Sequence, residues 1–207
     1  MRLRSAGGAA PRIRAADGPV ANLSEEGVST EARDVRIRRM EPADLPAALA
    51  IQAEAYPPFL REGEAAFASR ITLPASYCLT ATMEDRLIAY LLAHGWRGGD
   101  PPPVGAVLTP GPTEILFLHD LAVSAAGRGS GIGQRLVSRA FELAVRDGLR
   151  RAELIAVEGA APYWARLGFG QEQASAELAR KVAGYGPSAR WMTRSLPGVE
   201  APAGTAG

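Results

Sequence analysis

A single cysteine, Cys78, stands among 207 residues. No intrachain disulfide can form, and in an apolar segment that thiol reads as a small buried hydrophobe. With only two histidines beside it, the chain lacks the ligands for a structural zinc site, and no metal is expected. Charge of one sign is missing too. The 23 basic and 22 acidic side chains leave a formal net charge of +1, so nothing pulls the chain toward nucleic acid or an acidic partner. No basic stripe interleaved with aromatics occurs, which argues against a nucleic-acid role. No apolar run reaches the roughly 20 residues that a membrane span needs. The opening stretch "MRLRSAGGAAPRIRAADG" has arginines but no apolar centre, which excludes a secretory signal. It shares arginine richness and acid poverty with transit peptides, but reads more simply as a disordered leader. The cytoplasm is the expected compartment.

What is present is globular usage: 47% hydrophobic and 22% charged residues, enough for one core. Residues 1–33 are Ala/Gly/Arg/Ser-rich with no apolar period and read as a disordered N-terminal extension. Residues 34–196 read as a single domain and 197–207 as a flexible tail. No internal repeat is found.

Within the domain, "DVRIRRM" alternates as a half-buried strand. In "EPADLPAALAIQAEAY", Pro42 stands at an early helical position, and Leu45, Leu49 and Ala53 keep helical spacing. Pro57-Pro58 stops that helix. "REGEAAFASRI" follows as a second helix. "SYCLTAT" and "RLIAYLLAHGW", joined through "MEDR", read as a hairpin. "GGDPPPVGAVLTPGPT" is too rich in proline for regular structure. "EILFLHDLAV" is a strand covered on both faces. After it, Ile132, Leu136, Ala140, Leu143 and Ala144 share the face of the clearest helix, which Gly148 ends. "RAELIAV" is a buried strand, "APYWARL" a short helix, "GFGQEQ" and "RWMTRSL" further strands. The predicted fold class is α/β, or α+β: a mixed central sheet of six to seven strands flanked by about four helices.

The stretch "AAGRGSGIGQRL" opens the long helix with Gly127, Gly129, Gly131 and Gly133 at alternate positions. Four unpaired N–H groups begin any helix, and its dipole favours an anion there. Glycines let the main chain come close and take positive φ. A phosphate cradle is one reading, with Arg128 adding charge; a plain flexible turn is the other. The dinucleotide fingerprint G-x-G-x-x-G fails on spacing, and no lysine follows to make a nucleoside triphosphate loop. R-x-x-G-x-G does fit, through Arg128, Gly131 and Gly133.

That motif after a buried strand, together with "AAPYWARLGF", resembles the GNAT superfamily of N-acetyltransferases over roughly residues 35–196. "LHDLAV" is also similar to the "LHxLAV" segment of arylalkylamine N-acetyltransferases, a branch of that superfamily. The resemblance implies direct transfer of an acetyl group from acetyl-CoA to a primary amine, a small molecule being expected ahead of a protein N-terminus or lysine. A CoA-sensing domain without chemistry is the alternative. It implies that the main chain of Leu121, Ala122 and Val123 meets the acetyl group and pantetheine. The amides from Arg128 through Gly129, Ser130, Gly131, Ile132 and Gly133 to Gln134 would hold the diphosphate. Many members of the superfamily pair as homodimers, though nothing in the chain marks an interface.

Acyl transfer to an amine needs a proton acceptor, since alkylamines titrate near pH 10. On an unbroken strand Ile115, Phe117, His119, Leu121 and Val123 share a face and Asp120 takes the other. An imidazole there suits proton acceptance near neutrality, so His119 is the candidate base; a core histidine bonded to a carbonyl is the plainer reading. The family's usual acid, a tyrosine five residues before the Phe of Gly-Phe, is replaced here by Trp164. Tyr163 beside it is the candidate proton donor, with Tyr185, or water and helix dipoles, as the alternatives; Trp164 is expected to stack near the CoA arm, and simple packing is the plainer reading of both. Tyr56 and Phe59 of "AYPPFLRE", with Tyr185 of "GYGPS", are candidates for the acceptor pocket; core packing is the alternative for each.

Overall fold

Apolar runs bounded by turns and loops set most of the strands. The computed structural model describes residues 35–197; the readings made above for the leader and for residues beyond 197 lie outside the described residues. β1 (Val35–Arg39) leads through a 3-10 turn at Pro42–Asp44 into α1 (Leu45–Ala55), which buries Leu45, Ala48 and Ile51. Pro57 and Pro58 end α1 as expected, and α2 (Glu64–Thr72) follows. β2 (Leu79–Met83) and β3 (Arg86–Trp96) form the expected hairpin. Its turn holds Glu84 and Asp85 at φ 50 and 59, the positive values that a tight two-residue hairpin requires.

β4 (Ile115–Val123) crosses over through α3 (Ile132–Arg146) to β5 (Arg151–Ala156), and these two strands pair in parallel. α4 (Ala161–Arg166), the two-residue β6 (Gly170–Gln171), α5 (Ala176–Ala183) and β7 (Arg190–Ser195) complete the chain. The seven-stranded sheet runs β1-β2-β3-β4-β5-β7-β6, antiparallel everywhere except β4–β5. α5 was not among the expected helices. Ser175 caps it by accepting from the Leu178 N–H, and Leu178 and Val182 bury one face at i,i+4 spacing.

Three packed layers result. α3 lays Leu136, Val137, Ala140 and Ala144 on one face of the sheet with Leu116, Leu118 and Leu154. Burying Leu136 completely is worth about 1.5–3 kcal/mol. α1 and α2 cover the other face through Ile51, Phe67, Tyr90 and Leu92. α5 closes the β5–β7 side of that face with Phe117, Ile155 and Trp191.

Candidate functional site

The parallel ladder between β4 and β5 is short. Pairing runs from Leu116–Ala152 to Leu118–Leu154 and stops, though β4 continues to Val123 and β5 to Ala156. The two strands splay, and a cleft of about 240 Å³ opens between them. Leu121, Val123, Val157, Tyr163 and Trp164 line one part; Tyr56, Leu60, Glu62, Val104, His119 and Tyr185 line the rest.

A bulge in β4 overturns the expected alternation. Leu92 pairs with Asp120 but Ala93 pairs with Leu118, so β4 carries one extra residue there. Parity flips across it. Leu116 and Leu118 face the α3 layer before the bulge, and Leu121 and Val123 face it afterwards. Ile115 and Phe117 belong to the opposite face, as does Ala122. Ile115, Phe117 and Leu121 therefore do not share a face, and Asp120 is not turned away from the face of Ile115 and Phe117. Asp120 Oδ2 accepts from Tyr90 Oη at 2.6 Å. Burial raises its carboxyl above the usual range, against the hydrogen bond from Tyr90.

The same ladder directs the strand-end amides. Ser124 N–H donates to Ile88 O at 2.8 Å, so 122–90 and 120–92 are also hydrogen-bonded pairs in this register. The Ala122 amide thus points into β3. Those of Leu121 and Val123 point away from β3, to the side that β5 has left. Of the three expected strand-end amides, two face the cleft.

The glycine loop sits beside them. Gly129 and Gly131 have φ 75 and 71, and Gly131 is the N-cap of α3 with no side-chain cap. Of the seven amides from Arg128 to Gln134, two turn inward: Arg128 to Ala125 O at 3.4 Å and Ser130 to Gly127 O at 3.5 Å. Those of Gly129, Gly131, Ile132, Gly133 and Gln134 have no acceptor among the described residues. A side chain on Gly127 would strike Val123 Cγ1 at 2.9 Å, and one on Gly133 would strike Tyr163 Oη at 2.8 Å. The loop thus presents open main-chain amides at a helix start, an arrangement that fits an anion such as a diphosphate.

Tyr163 Oη is buried and has no hydrogen-bond partner among the described residues. Burial raises its pKa above that of a free phenol, against the charge of Arg166. Trp164 is 8% exposed and belongs to the core, edge-on to Tyr163 and to Phe169 at 5.2 and 5.6 Å. It also lines the cleft. Tyr56 donates to Leu121 O at 3.0 Å. Tyr185 is buried and donates to Pro102 O. Phe59 is 57% exposed, lies against Gly186 and does not line the cleft; the short 3-10 turn at Pro58–Leu60 turns Leu60 inward in its place.

Two groups, Glu62 in the cleft wall and Arg70 buried behind it, escaped the sequence reading. Glu62 lies between α1 and α2, and Arg70 on α2; both are buried, and both approach His119. An acid and an arginine eight positions apart form no motif, and only the tertiary fold brings them to β4. His119 Nδ1 is buried without a partner among the described residues. The other histidine, His94, packs at 6.1 Å from His119, ring to ring.

A model of the acetyltransferase (GNAT) family matches residues 45–169. No curated protein matches the chain. Among solved structures, Ard1 from Thermoplasma volcanium superposes with a TM-score of 0.60 at 12% identity, covering 79% of this chain and 98% of that one. The ribosomal-protein-S18-alanine N-acetyltransferase from Escherichia coli gives 0.57 at 18% identity, over 80% and 96%. Arabidopsis thaliana Naa50, in complex with the bisubstrate analogue CoA-Ac-MVNAL, gives 0.58 at 14% identity, over 78% and 98%. At these identities the likeness is one of fold. The family match spans more than half of the chain, and with this topology behind it the protein belongs to the GNAT family of acetyltransferases, enzymes whose acyl donor is acetyl-CoA.

Proposed function

We propose that this acetyltransferase moves the acetyl group directly onto the primary amine of a small molecule, with His119 as proton acceptor and Tyr163 as proton donor. One observation carries the reading. The unpartnered His119 Nδ1 and the unpartnered Tyr163 Oη belong to residues of a single cleft, with the free amides of Leu121 and Val123 on its wall.

Acetyl-CoA, when bound, supplies the acyl group as an activated thioester. The open amides of Gly129, Gly131 and Ile132 to Gln134 would hold its diphosphate, with Arg128 adding positive charge. The Leu121 and Val123 amides would lie along its pantetheine arm and polarise the acyl oxygen. An incoming alkylammonium, with a pKa of about 10, must lose a proton before it can attack. His119 Nδ1 accepts that proton. Tyr163, kept protonated through the neutral range, donates from Oη toward the leaving sulfur.

The dimensions of the cleft favour a small acceptor. Tyr56, Leu60, Val104 and Tyr185 make its walls apolar around the carboxylate of Glu62 and the imidazole of His119. An amine with an apolar body suits such a space. The test is release of free CoA thiol across arylalkylamines, polyamines, amino acids and peptides. The expected result is turnover with a small apolar amine above that with any peptide. Faster turnover of peptide N-termini would move the acceptor to proteins. Binding of CoA with no thiol release from any amine would make the domain a sensor.

A further inference from the structure

Glu62, Arg70 and His119 come from three parts of the chain and meet in one buried knot. Their side chains are 3%, 0% and 4% exposed. Glu62 Oε2 lies 2.8 Å from His119 Nε2. Glu62 Oε1 accepts from Arg70 Nη2 at 2.9 Å and from the Gly105 amide. Arg70 Nη2 also stands 2.9 Å from His119 Nε2, while Nη1 donates to Ala66 O at 2.6 Å and Ala106 O at 3.2 Å.

Counting protons decides the state of the ring. A guanidinium only donates and an ionised carboxylate only accepts. Burial pushes the Glu62 carboxyl up, but the hydrogen bond from His119, the charge of Arg70 and the Gly105 amide bring it below its ordinary value. It is therefore an acceptor at neutral pH. Oε1 already takes two donors, and Oε2 faces only His119 Nε2. Were that nitrogen unprotonated, two lone pairs would face each other at 2.8 Å in a buried site. The proton belongs on Nε2; in the neutral ring the lone pair is then on Nδ1, which meets no partner among the described residues. With the proton on Nε2, the 2.9 Å contact from Arg70 Nη2 sets one donor against another, and Nη2 must turn its hydrogens to Glu62 instead.

We propose that Glu62, braced by Arg70, is a positioning residue that locks His119 in the Nε2–H form and leaves the lone pair of Nδ1 unpartnered, the one the ring has to give. The same ion pair fastens the proline-rich segment between β3 and β4. Glu62 holds that segment at Gly105, Arg70 holds it at Ala106, and Tyr185 holds it at Pro102. The segment brings Val104 to the cleft wall. One carboxylate thus couples the shape of the acceptor wall to the orientation of the base. The catalytic consequence rests on His119 being the proton acceptor; the placement of the proton has its own measurement.

That measurement is nitrogen NMR of the imidazole rings in the uniformly 15N-labelled full chain at pH 8, with His94→Gln separating the two histidines. The expected spectrum shows His119 protonated at Nε2 and bare at Nδ1. In Glu62→Gln, the amide oxygen goes to the two donors, Arg70 and Gly105, and the amide NH2 turns to Nε2. The ring should then carry its proton on Nδ1, and kcat should fall by about 10²–10⁴-fold with acetyl-CoA affinity unchanged. A wild-type ring protonated at Nδ1 overturns the proposal, as does a Glu62→Gln enzyme with wild-type kcat and an unchanged ring. If that variant fails to fold, the wild-type spectrum decides alone. An Nε2–H ring in an enzyme whose His119→Ala variant turns over normally would sink the base assignment and leave the hold of Glu62 on the ring standing.

Discussion

Gly133 and Tyr163 meet at the mouth of α3: a methyl carbon on the glycine would stand 2.8 Å from the tyrosine Oη. The cradle and the candidate proton donor are therefore neighbours, although thirty residues separate them in sequence. The missing side chain at 133 is what gives the hydroxyl its place.

Removing that hydroxyl separates chemistry from stability. Tyr163 Oη makes no hydrogen bond among the described residues, so Tyr163→Phe loses no internal partner and sheds a buried polar atom. Thermal melting should be unchanged or slightly higher, while kcat falls by about 10²-fold if the phenol protonates the leaving sulfur. Unchanged kcat would assign the tyrosine to packing.

The cradle is tested by charge. Gly131 is an open position at positive φ, with nothing within reach of an added Cβ. Gly131→Glu should abolish acetyl-CoA binding in calorimetry, because a carboxylate would stand where an anion is to be held. Gly131→Asn, which tolerates the left-handed conformation, controls for backbone strain and should bind. Equal affinity for all three proteins would remove the loop from the donor site.

His94 makes the fold sensitive to acid. Burial, with help from the nearby charge of His119, lowers its pKa from 6.5 to about 3. The folded state keeps it neutral where the unfolded chain protonates it. Its contribution is complete above pH 6.5 and is lost as pH falls from there toward 3, with the unfolded state taking up about one extra proton at this site. Urea midpoints across pH 7 to 4 should drop in the wild type and drop less steeply in His94→Gln. Parallel curves would mean that the ring is protonated in the folded protein.

The glycine loop and the helix start it opens were legible in sequence because they are local: glycines at positive φ, a helix start and an arginine lie within eight residues. The long period of α3 was legible for the same reason. The parity of β4 was not. Alternation assumes an unbroken pleat, and one extra residue at His119–Asp120 moved Leu121 and Val123 to the α3 face. α5 was hidden by its short length and the glutamines before it, although Ser175 was a readable cap. Glu62 and Arg70 carried no local signal, since an acid in a loop and an arginine on a helix mean nothing until the fold sets both beside His119. Which of the main-chain amides of Leu121, Ala122 and Val123 turn to the cleft is a matter of strand register, which the sequence does not show.

The most direct measurement of the central claim is CoA thiol release by wild type and His119→Ala with the best small amine, followed across pH beside calorimetry of acetyl-CoA. A fall in turnover of about 10²–10⁴-fold in the variant, with donor affinity retained, is the predicted result. Equal turnover and an identical pH–rate profile would contradict it and take the imidazole out of the mechanism.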